Sequence, residues 1–134
     1  MSNPDDSQKA APLIMVVDAD PHVRELAGYF LIEAGYQVEC AGDGIEALGK
    51  AKKNPPAAIL LELIIPKLNG LSLCRLLKSD PTTRETKIVV LSVLSSSKGA
   101  QIVEADAFLS KPLEKTRLID AMSKIIKPLR NTIL

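Results

Sequence analysis

The chain has 134 residues and a mass of 14.4 kDa, which is the size of one ordinary domain. Its hydrophobic share of 46% and charged share of 25% are typical of a globular protein, and no apolar run approaches the roughly 20 residues that span a bilayer. The formal net charge of +1 and the aromatic share of 3% provide little for phosphate neutralisation or base stacking. Membrane-spanning, disordered and nucleic-acid-binding proteins are therefore disfavoured.

The cysteines indicate the cellular compartment, and the terminal segments indicate where the domain begins and ends. Cys40 and Cys74 form no C-x-x-C motif, so we expect reduced thiols in a cytoplasmic protein. The first residues are polar and acidic, which argues against a secretory signal. We predict a disordered tail at 1–10, one domain at 11–128 and a C-terminal tail at 129–134.

Short apolar runs alternate with helical patterns along the chain. The predicted strands are 12–17, 36–41, 57–61, 88–91 and 107–109. The first two helices begin at capping signals, Asp20-Pro21 and the capping box Asp43 to Glu46, and the first places Leu26 at core spacing. Further helices are predicted after Asn69-Gly70, within 95–106, and over about 114–126. Five such units predict an α/β fold, a doubly wound parallel sheet.

Four polar residues follow or end four of these strands. They are Asp18, Glu62, Ser92 and Lys111. The carboxyl ends of parallel strands share one edge of the sheet, where binding sites of such folds gather. Any one of these residues alone is more simply explained as a cap or a solvated loop residue. Together, two carboxylates, a hydroxyl and an amine suit Mg²⁺ and phosphoryl chemistry.

Ordered motifs extend this pattern over about residues 12–127. They are VVDADP (16–21), LLELIIPKLNG (60–70), LS (91–92) and ADAFLSKP (105–112). The sequence resembles the receiver domain of two-component response regulators. The resemblance implies a flavodoxin-like (βα)5 fold with strand order 2-1-3-4-5, structural roles for Pro66, Gly70 and Pro112, and a cis bond between Lys111 and Pro112.

The resemblance also assigns roles at the strand ends. The family transfers a phosphoryl group from a kinase histidine to an Asp after the third strand, with Mg²⁺ held partly by an acidic pair after the first. Here Glu62 stands at the acceptor position, and the acidic pocket keeps Asp18 and Asp20 but has Ala19 in place of the second acid. We expect very poor phosphorylation. We also expect no catalytic residues, no required cofactor, and at most weak Mg²⁺ binding by Asp18 and Glu62.

The remaining matched positions belong to the family's switch. Ser92 matches the phosphoryl-binding hydroxyl, Phe108 the aromatic that turns inward in the active form, and Lys111 the lysine that contacts the phosphoryl group. Glu62 is expected to pair with Lys111. That ion pair either locks an active-like state or neutralises a decayed site, and the sequence leaves both open.

The connection before the fifth strand departs from the family. It is about three residues shorter than usual, and Glu104 stands where a Gly is common. The resemblance therefore implies a shortened fourth helix. Because that helix borders the usual dimer face of receivers, the usual dimer is in doubt, although a homodimer remains a candidate.

The leading interpretation is a degenerate receiver, or pseudo-receiver: a phosphorylation-independent interaction module in bacterial two-component signalling and not an enzyme. Its expected partner is a histidine kinase or a downstream effector. One alternative is a working phosphoacceptor that uses Glu62 or another carboxylate such as Asp18. Another is a flavodoxin-like domain for a small molecule, which the lack of a glycine-rich phosphate loop disfavours.

Overall fold

The computed structural model describes residues 10–93 and 104–129, which form a five-stranded parallel sheet and four helices. The strands are β1 (Leu13–Val17), β2 (Gln37–Ala41), β3 (Ala58–Leu61), β4 (Lys87–Ser92) and β5 (Ala107–Ser110). The helices are α1 (Pro21–Glu33), α2 (Gly44–Lys53), α3 (Gly70–Ser79) and α4 (Lys115–Ile125). The order β2-β1-β3-β4-β5 confirms the predicted fold.

Alternate residues of the central strands supply two apolar cores, one on each face of the sheet. On one face, Ile14 and Leu60 pack with residues of α1 and α4 such as Leu31 and Leu118. On the other face the strands pack against α2 and α3, whose buried contributors include Ala47, Ala51, Leu73, Cys74 and Leu77. Both faces are covered because parallel strands joined by crossover helices bury both of their sides.

The helix starts follow the capping chemistry of the sequence. Asp20 and Asn69 accept hydrogen bonds from backbone N–H groups in the first turns of α1 and α3. Asp43 likewise accepts from Glu46 N at 2.8 Å. The returning bond of this capping box differs from the standard form, because the Glu46 carboxylate accepts from Gly42 N instead of from Asp43 N.

A close backbone approach explains the glycine at the start of α3. Gly70 N donates to Leu63 O at 2.9 Å, and a Cβ on Gly70 would lie 2.6 Å from Leu63 Cα. Only glycine allows the chain to return this closely onto the loop after β3. That loop carries Glu62, so this contact helps to fix where Glu62 stands.

The structure confirms a peptide-bond conformation that was expected from the sequence. The Lys111–Pro112 bond is cis, as the resemblance implied. Cys40 and Cys74 are free thiols, as expected. No helix within 10–93 and 104–129 is long and apolar enough to cross a bilayer. All but one residue of each predicted tail (1–10 and 129–134), and most of the shortened fourth helix predicted within 95–106, lie outside the described residues.

One expectation about α1 is wrong. Its apolar spacing groups Leu26 with the core face, yet Leu26 is 45% exposed. The core face of α1 is made by Ala27, Gly28 and Leu31, and Leu26 lies outside that arc. A core stripe about 100° wide has room for few positions per turn, so an apolar residue at its margin can remain in water.

Candidate functional site

The carboxyl edge of the sheet gathers the four polar residues singled out from the sequence. Asp18 follows β1, Glu62 follows β3, Ser92 ends β4 and Lys111 follows β5. Asp18 and Glu62 are only 4% and 5% exposed, and Ser92 is fully buried. Buried charges are costly unless they are paired, so the contacts of these side chains determine whether the arrangement is stable.

Lys111 lies between the two carboxylates. Its Nζ is 2.8 Å from Asp18 Oδ2 and 3.1 Å from Glu62 Oε1. Burial alone would lower the pKa of Lys111, but hydrogen bonds and charge attraction from Asp18 and Glu62 outweigh it and raise the pKa above its ordinary value of 10.5. Lys111 is therefore a cation at neutral pH, and its single positive charge lies between the two carboxylates.

The second oxygen of Glu62 is also engaged. Ser92 Oγ donates to Glu62 Oε2 at 2.6 Å, and Ile64 N donates to the same atom at 3.2 Å. With Lys111 on Oε1, both oxygens of the buried carboxylate therefore hold protein donors. The geometry fixes Glu62 in one orientation.

Asp18 is held from its other side by its own loop. Its Oδ1 accepts from Asp20 N at 2.9 Å. The guanidinium of Arg24 donates to the backbone carbonyls of Asp18, at 2.8 Å, and Ala19, at 3.2 Å. Arg24 lies outside the motifs described above, which assign it no role. Its structural task is to anchor the turn that presents Asp18.

The described side chains at this edge offer few oxygen ligands for a Mg²⁺ ion. Mg²⁺ requires near-octahedral oxygen ligands, whereas Ala19 supplies no side-chain oxygen and Asp18 and Glu62 share the ammonium of Lys111. Among the described residues, no group of three or more His, Cys, Asp or Glu side chains is placed to hold a metal ion. The single ammonium of Lys111 contacts both carboxylates.

Other predicted site residues have different surroundings. The exposed Asp20 directs its carboxylate to His22 N at 2.9 Å and so caps α1, while its contact with Asp18 is made through its backbone. Phe108 is half-buried and packs against the core cluster on the α2 and α3 side of the sheet. The structure thus brings together Asp18, Glu62, Ser92 and Lys111, and leaves the Asp20 carboxylate outside the cluster.

Comparison with known proteins agrees with this fold. Residues 14–123 match the response regulator receiver domain family. The response regulator MprA of Mycobacterium sp. (strain KMS) is 37% identical over 117 residues, which is 85% of this chain and 50% of that protein. Protein PilG of Pseudomonas aeruginosa is 32% identical over 113 residues, covering 81% of this chain and 83% of PilG.

Solved structures show the same architecture. The chemotaxis protein CheY4 of Vibrio cholerae superposes with a TM-score of 0.81 at 28% identity, covering 87% of this chain and all of that one. The chain therefore belongs to the response regulator receiver domain family, the receiver modules of two-component signalling. It spans about half the length of the mycobacterial relatives that it matches.

Proposed function

We propose that this receiver domain is phosphorylation-independent and acts as a protein-interaction module, not as a phosphoacceptor or an enzyme. The observation that carries this proposal is the state of Glu62 at the acceptor position. Its carboxylate is buried and accepts from Lys111, Ser92 and the backbone of Ile64. A carboxylate with donors on both oxygens is poorly available as a nucleophile.

Chain length at the acceptor position supports the same proposal. Glutamate places its carboxylate one bond, about 1.5 Å, farther from the backbone than aspartate does. In-line attack needs reacting atoms about 3–3.5 Å apart with aligned orbitals, so a displacement of this size is large. The missing carboxylate at Ala19 also removes an oxygen ligand from the place where the family holds its metal.

The contacts of Glu62 favour a fixed, active-like surface over a decayed site. In the family, the phosphoryl group contacts the residues that correspond to Lys111 and Ser92. Glu62 contacts both of them here, at 3.1 and 2.6 Å. The planar carboxylate of Glu62 thus makes, without phosphorylation, the two contacts that a phosphoryl group makes in the family. On this proposal, a kinase or an effector in the same signalling system recognises the surface without a phosphorylation step.

Intact mass spectrometry after incubation with acetyl phosphate and Mg²⁺ tests the proposal. The matched control is the double variant Glu62→Asp plus Ala19→Asp, which restores both family acids. We expect the native chain to keep its mass and the control to gain one phosphoryl group. Labelling of the native chain to the same extent as the control would overturn the proposal.

If the native chain is labelled, the phosphoacceptor alternative predicts where. Glu62→Gln and Asp18→Asn then identify the acceptor, because only the variant that lacks the reacting carboxylate stays unlabelled. Glu62→Gln keeps the size of the side chain and its oxygen for Ser92. The pair of variants therefore separates a loss of acceptor from a loss of structure.

A further inference from the structure

Five exposed basic side chains lie where α2 and α3 end. They belong to the last turn of α2, the second half of α3 and the turn after α3, and are Lys52, Lys53, Arg75, Lys78 and Arg84. We call this group the basic surface. The same segments contain two carboxylates, Asp80 and Glu85. The group thus holds five of the chain's 17 basic residues beside two of its 16 acidic ones, in a chain that is nearly neutral as a whole.

The fold brings these segments together at one edge of the sheet. In a parallel βα repeat each helix runs against the strands, so α2 and α3 both end at the edge opposite the polar cluster. Thr86 Oγ1 donates to Pro56 O at 2.8 Å and ties the turn after α3 to the segment after α2. Hydrogen bonds from Thr82 lower the pKa of Asp80, and the nearby charge of Lys52 adds to this effect. The cations of the two helices therefore share one surface.

Few of these cations have an acidic partner within the described part of the chain. Arg84 Nε is 4.0 Å from a carboxylate oxygen of Glu85, and both side chains are largely exposed. The cations that form no ion pair with another described residue are Lys52, Lys53, Arg75 and Lys78. Lys50, one residue before the buried Ala51, differs from them because it pairs with Glu46 at 3.0 Å.

The helix dipole accounts for only part of this charge. Cations in a last turn interact favourably with the free carbonyls there, which explains Lys52, Lys53 and Lys78. Arg75 lies near the middle of α3, and Arg84 lies after the helix has ended, so neither is explained in this way. Cations in excess of what the helices require, and without internal partners, favour contact with an external anion.

An apolar side chain lies among these cations. The residues that α3 buries are Gly70, Leu73, Cys74 and Leu77. Arg75, Leu76 and Lys78 therefore lie on its outer side, and Leu76 is 42% exposed. An acidic protein segment with apolar residues can contact the cations and Leu76 together, whereas a phosphate backbone uses the cations alone. No aromatic residue occurs in α2 or α3 to stack on a base.

We propose that the basic surface is a docking site for an acidic segment of another protein, in which Asp and Glu are interspersed with apolar residues. The cations pair with its carboxylates, and Leu76 packs against one of its apolar side chains. The inference goes beyond the proposed function, because this surface lies at the opposite edge of the sheet from Glu62 and does not depend on it. Exposed ion pairs are individually weak, so the affinity should be modest and should fall with salt.

Fluorescence anisotropy of rhodamine-labelled peptides tests the proposal on the full chain. The acidic peptide has the sequence EEDLEEDLEEDL, and its neutral counterpart is QQNLQQNLQQNL. Oligothymidine of the same charge as the acidic peptide tests for nucleic-acid binding. Co-sedimentation with vesicles of phosphatidylcholine and phosphatidylserine tests for membrane binding.

Three variants locate the binding surface. Lys52→Glu plus Lys78→Glu reverses a charge on each of the two helices, and Leu76→Ser removes the apolar contact. The matched control is Lys124→Glu plus Lys127→Glu, which makes the same change of charge at exposed positions at the end of α4, on the other face of the sheet. Circular dichroism verifies that each variant is folded.

We expect the native chain to bind the acidic peptide at least tenfold more tightly than the neutral one, a difference of about 1.4 kcal/mol. Binding should weaken as salt rises from about 0.05 M to about 0.3 M, because the Debye length shortens. Lys52→Glu plus Lys78→Glu should weaken binding at least tenfold, and Leu76→Ser by a smaller factor. Lys124→Glu plus Lys127→Glu should bind as the native chain does.

Several outcomes would overturn the proposal. They are equal binding of the two peptides, equal weakening by both charge reversals, and a Leu76→Ser variant that binds like the native chain. Tighter binding of oligothymidine or of the vesicles than of the acidic peptide would also overturn it, and would assign the surface to nucleic acid or to a membrane. The variant Glu62→Asp plus Ala19→Asp should bind the acidic peptide unchanged, so a failure here is distinct from a failure of the proposed function.

Discussion

The hydroxyl of Ser92 donates a hydrogen bond of 2.6 Å to the Oε2 of Glu62, and so joins the carboxyl ends of β3 and β4. The two strands are already paired up to Leu61 and Val90. The side-chain bond continues that pairing past the end of β3 and into the polar cluster. A change at Glu62 is therefore transmitted to the end of β4 through a direct contact.

Loss of the shared cation should be the most damaging single change at this edge. Lys111→Met removes the ammonium and leaves two buried carboxylates without their shared cation. Loss of one partner of a buried ion pair lowers the free energy of unfolding by about 3–5 kcal/mol. The matched control is Lys115→Met, because Lys115 also forms a short ion pair but is exposed. Exposed pairs contribute about 0–1 kcal/mol.

Urea denaturation of both variants measures these two costs. Equal and small losses of stability would show that the pairs of Lys111 are not effectively buried. A large loss for Lys115→Met would instead show that the packing of α1 against α4 depends on the Lys115–Glu33 ion pair.

Mg²⁺ should not stabilise the native chain. The carboxylates of Asp18 and Glu62 are paired with Lys111, and Ala19 offers no further ligand. The variant Glu62→Asp plus Ala19→Asp restores the family's acids. A ligand at ten times its dissociation constant adds about 1.4 kcal/mol, which corresponds to a rise of a few degrees in Tm.

Thermal unfolding with and without Mg²⁺ at about 10 mM, ten times a millimolar dissociation constant, distinguishes the two chains. The expectation is a rise in Tm for the double variant only. An equal rise for the native chain would contradict the poor fit of this edge to Mg²⁺.

Alkaline pH should destabilise the fold through two groups. Burial raises the pKa of Tyr36 from 10.0 to about 12, and the pKa of Lys111 is also raised, by its two carboxylate partners. As pH rises past 10, the unfolded chain releases these protons before the folded chain does. The folded state then binds more protons, so the free energy of unfolding falls with increasing pH.

Denaturation midpoints at pH values from about 9 to about 11 would follow this decline. Tyr36→Phe provides the control. It removes one titrating group together with the 2.6 Å hydrogen bond from the Tyr36 hydroxyl to Ile126 O. The variant should be less stable at neutral pH and lose less stability over the alkaline range. An unchanged slope would mean that Tyr36 ionises alike in both states.

The turn after β3 should tolerate no side chain at Gly70. A Cβ there would lie 2.6 Å from Leu63 Cα, so Gly70→Ala has to displace backbone, at a cost of about 1–3 kcal/mol. Gly49→Ala is the matched control, because outside its chain neighbours and the nearby backbone of its own helix no described atom lies within 4 Å of the Cβ it would add in α2. That change should stabilise the helix by roughly 0.5–1 kcal/mol. Opposite shifts in Tm are expected, and a destabilising Gly49→Ala would contradict the argument.

Much of the fold was predictable because its signals are local. Asp20, Asp43 and the apolar runs mark where elements begin, and a βα repeat allows few topologies. The grouping of Asp18, Glu62, Ser92 and Lys111 followed from one geometric fact, that parallel strands end at a common edge. That grouping could be predicted from the order of strands and helices along the chain alone.

The contacts within that group were less predictable. The pairing of Lys111 with Glu62 was expected, but its shorter contact with Asp18 was not, because rotamers and burial determine which carboxylate a flexible lysine reaches. Likewise, helical periodicity alone does not show how narrow the buried arc of α1 is, so the exposure of Leu26 was not predicted. At Glu104 the structure instead accounts for a feature of the sequence. Its φ of 53° lies in the left-handed region that favours glycine, and glycine is the residue common at this position in the family.

The hydrogen bond of 3.0 Å from Leu129 N to Gly35 O has a practical consequence for labelling. Gly35 lies between the end of α1 and the start of β2, and so at the opposite edge of the sheet from Glu62. A fluorophore or affinity tag fused beyond residue 129 therefore begins its path far from the acidic pocket and close to the last turn of α1. Such a fusion suits studies of the pocket.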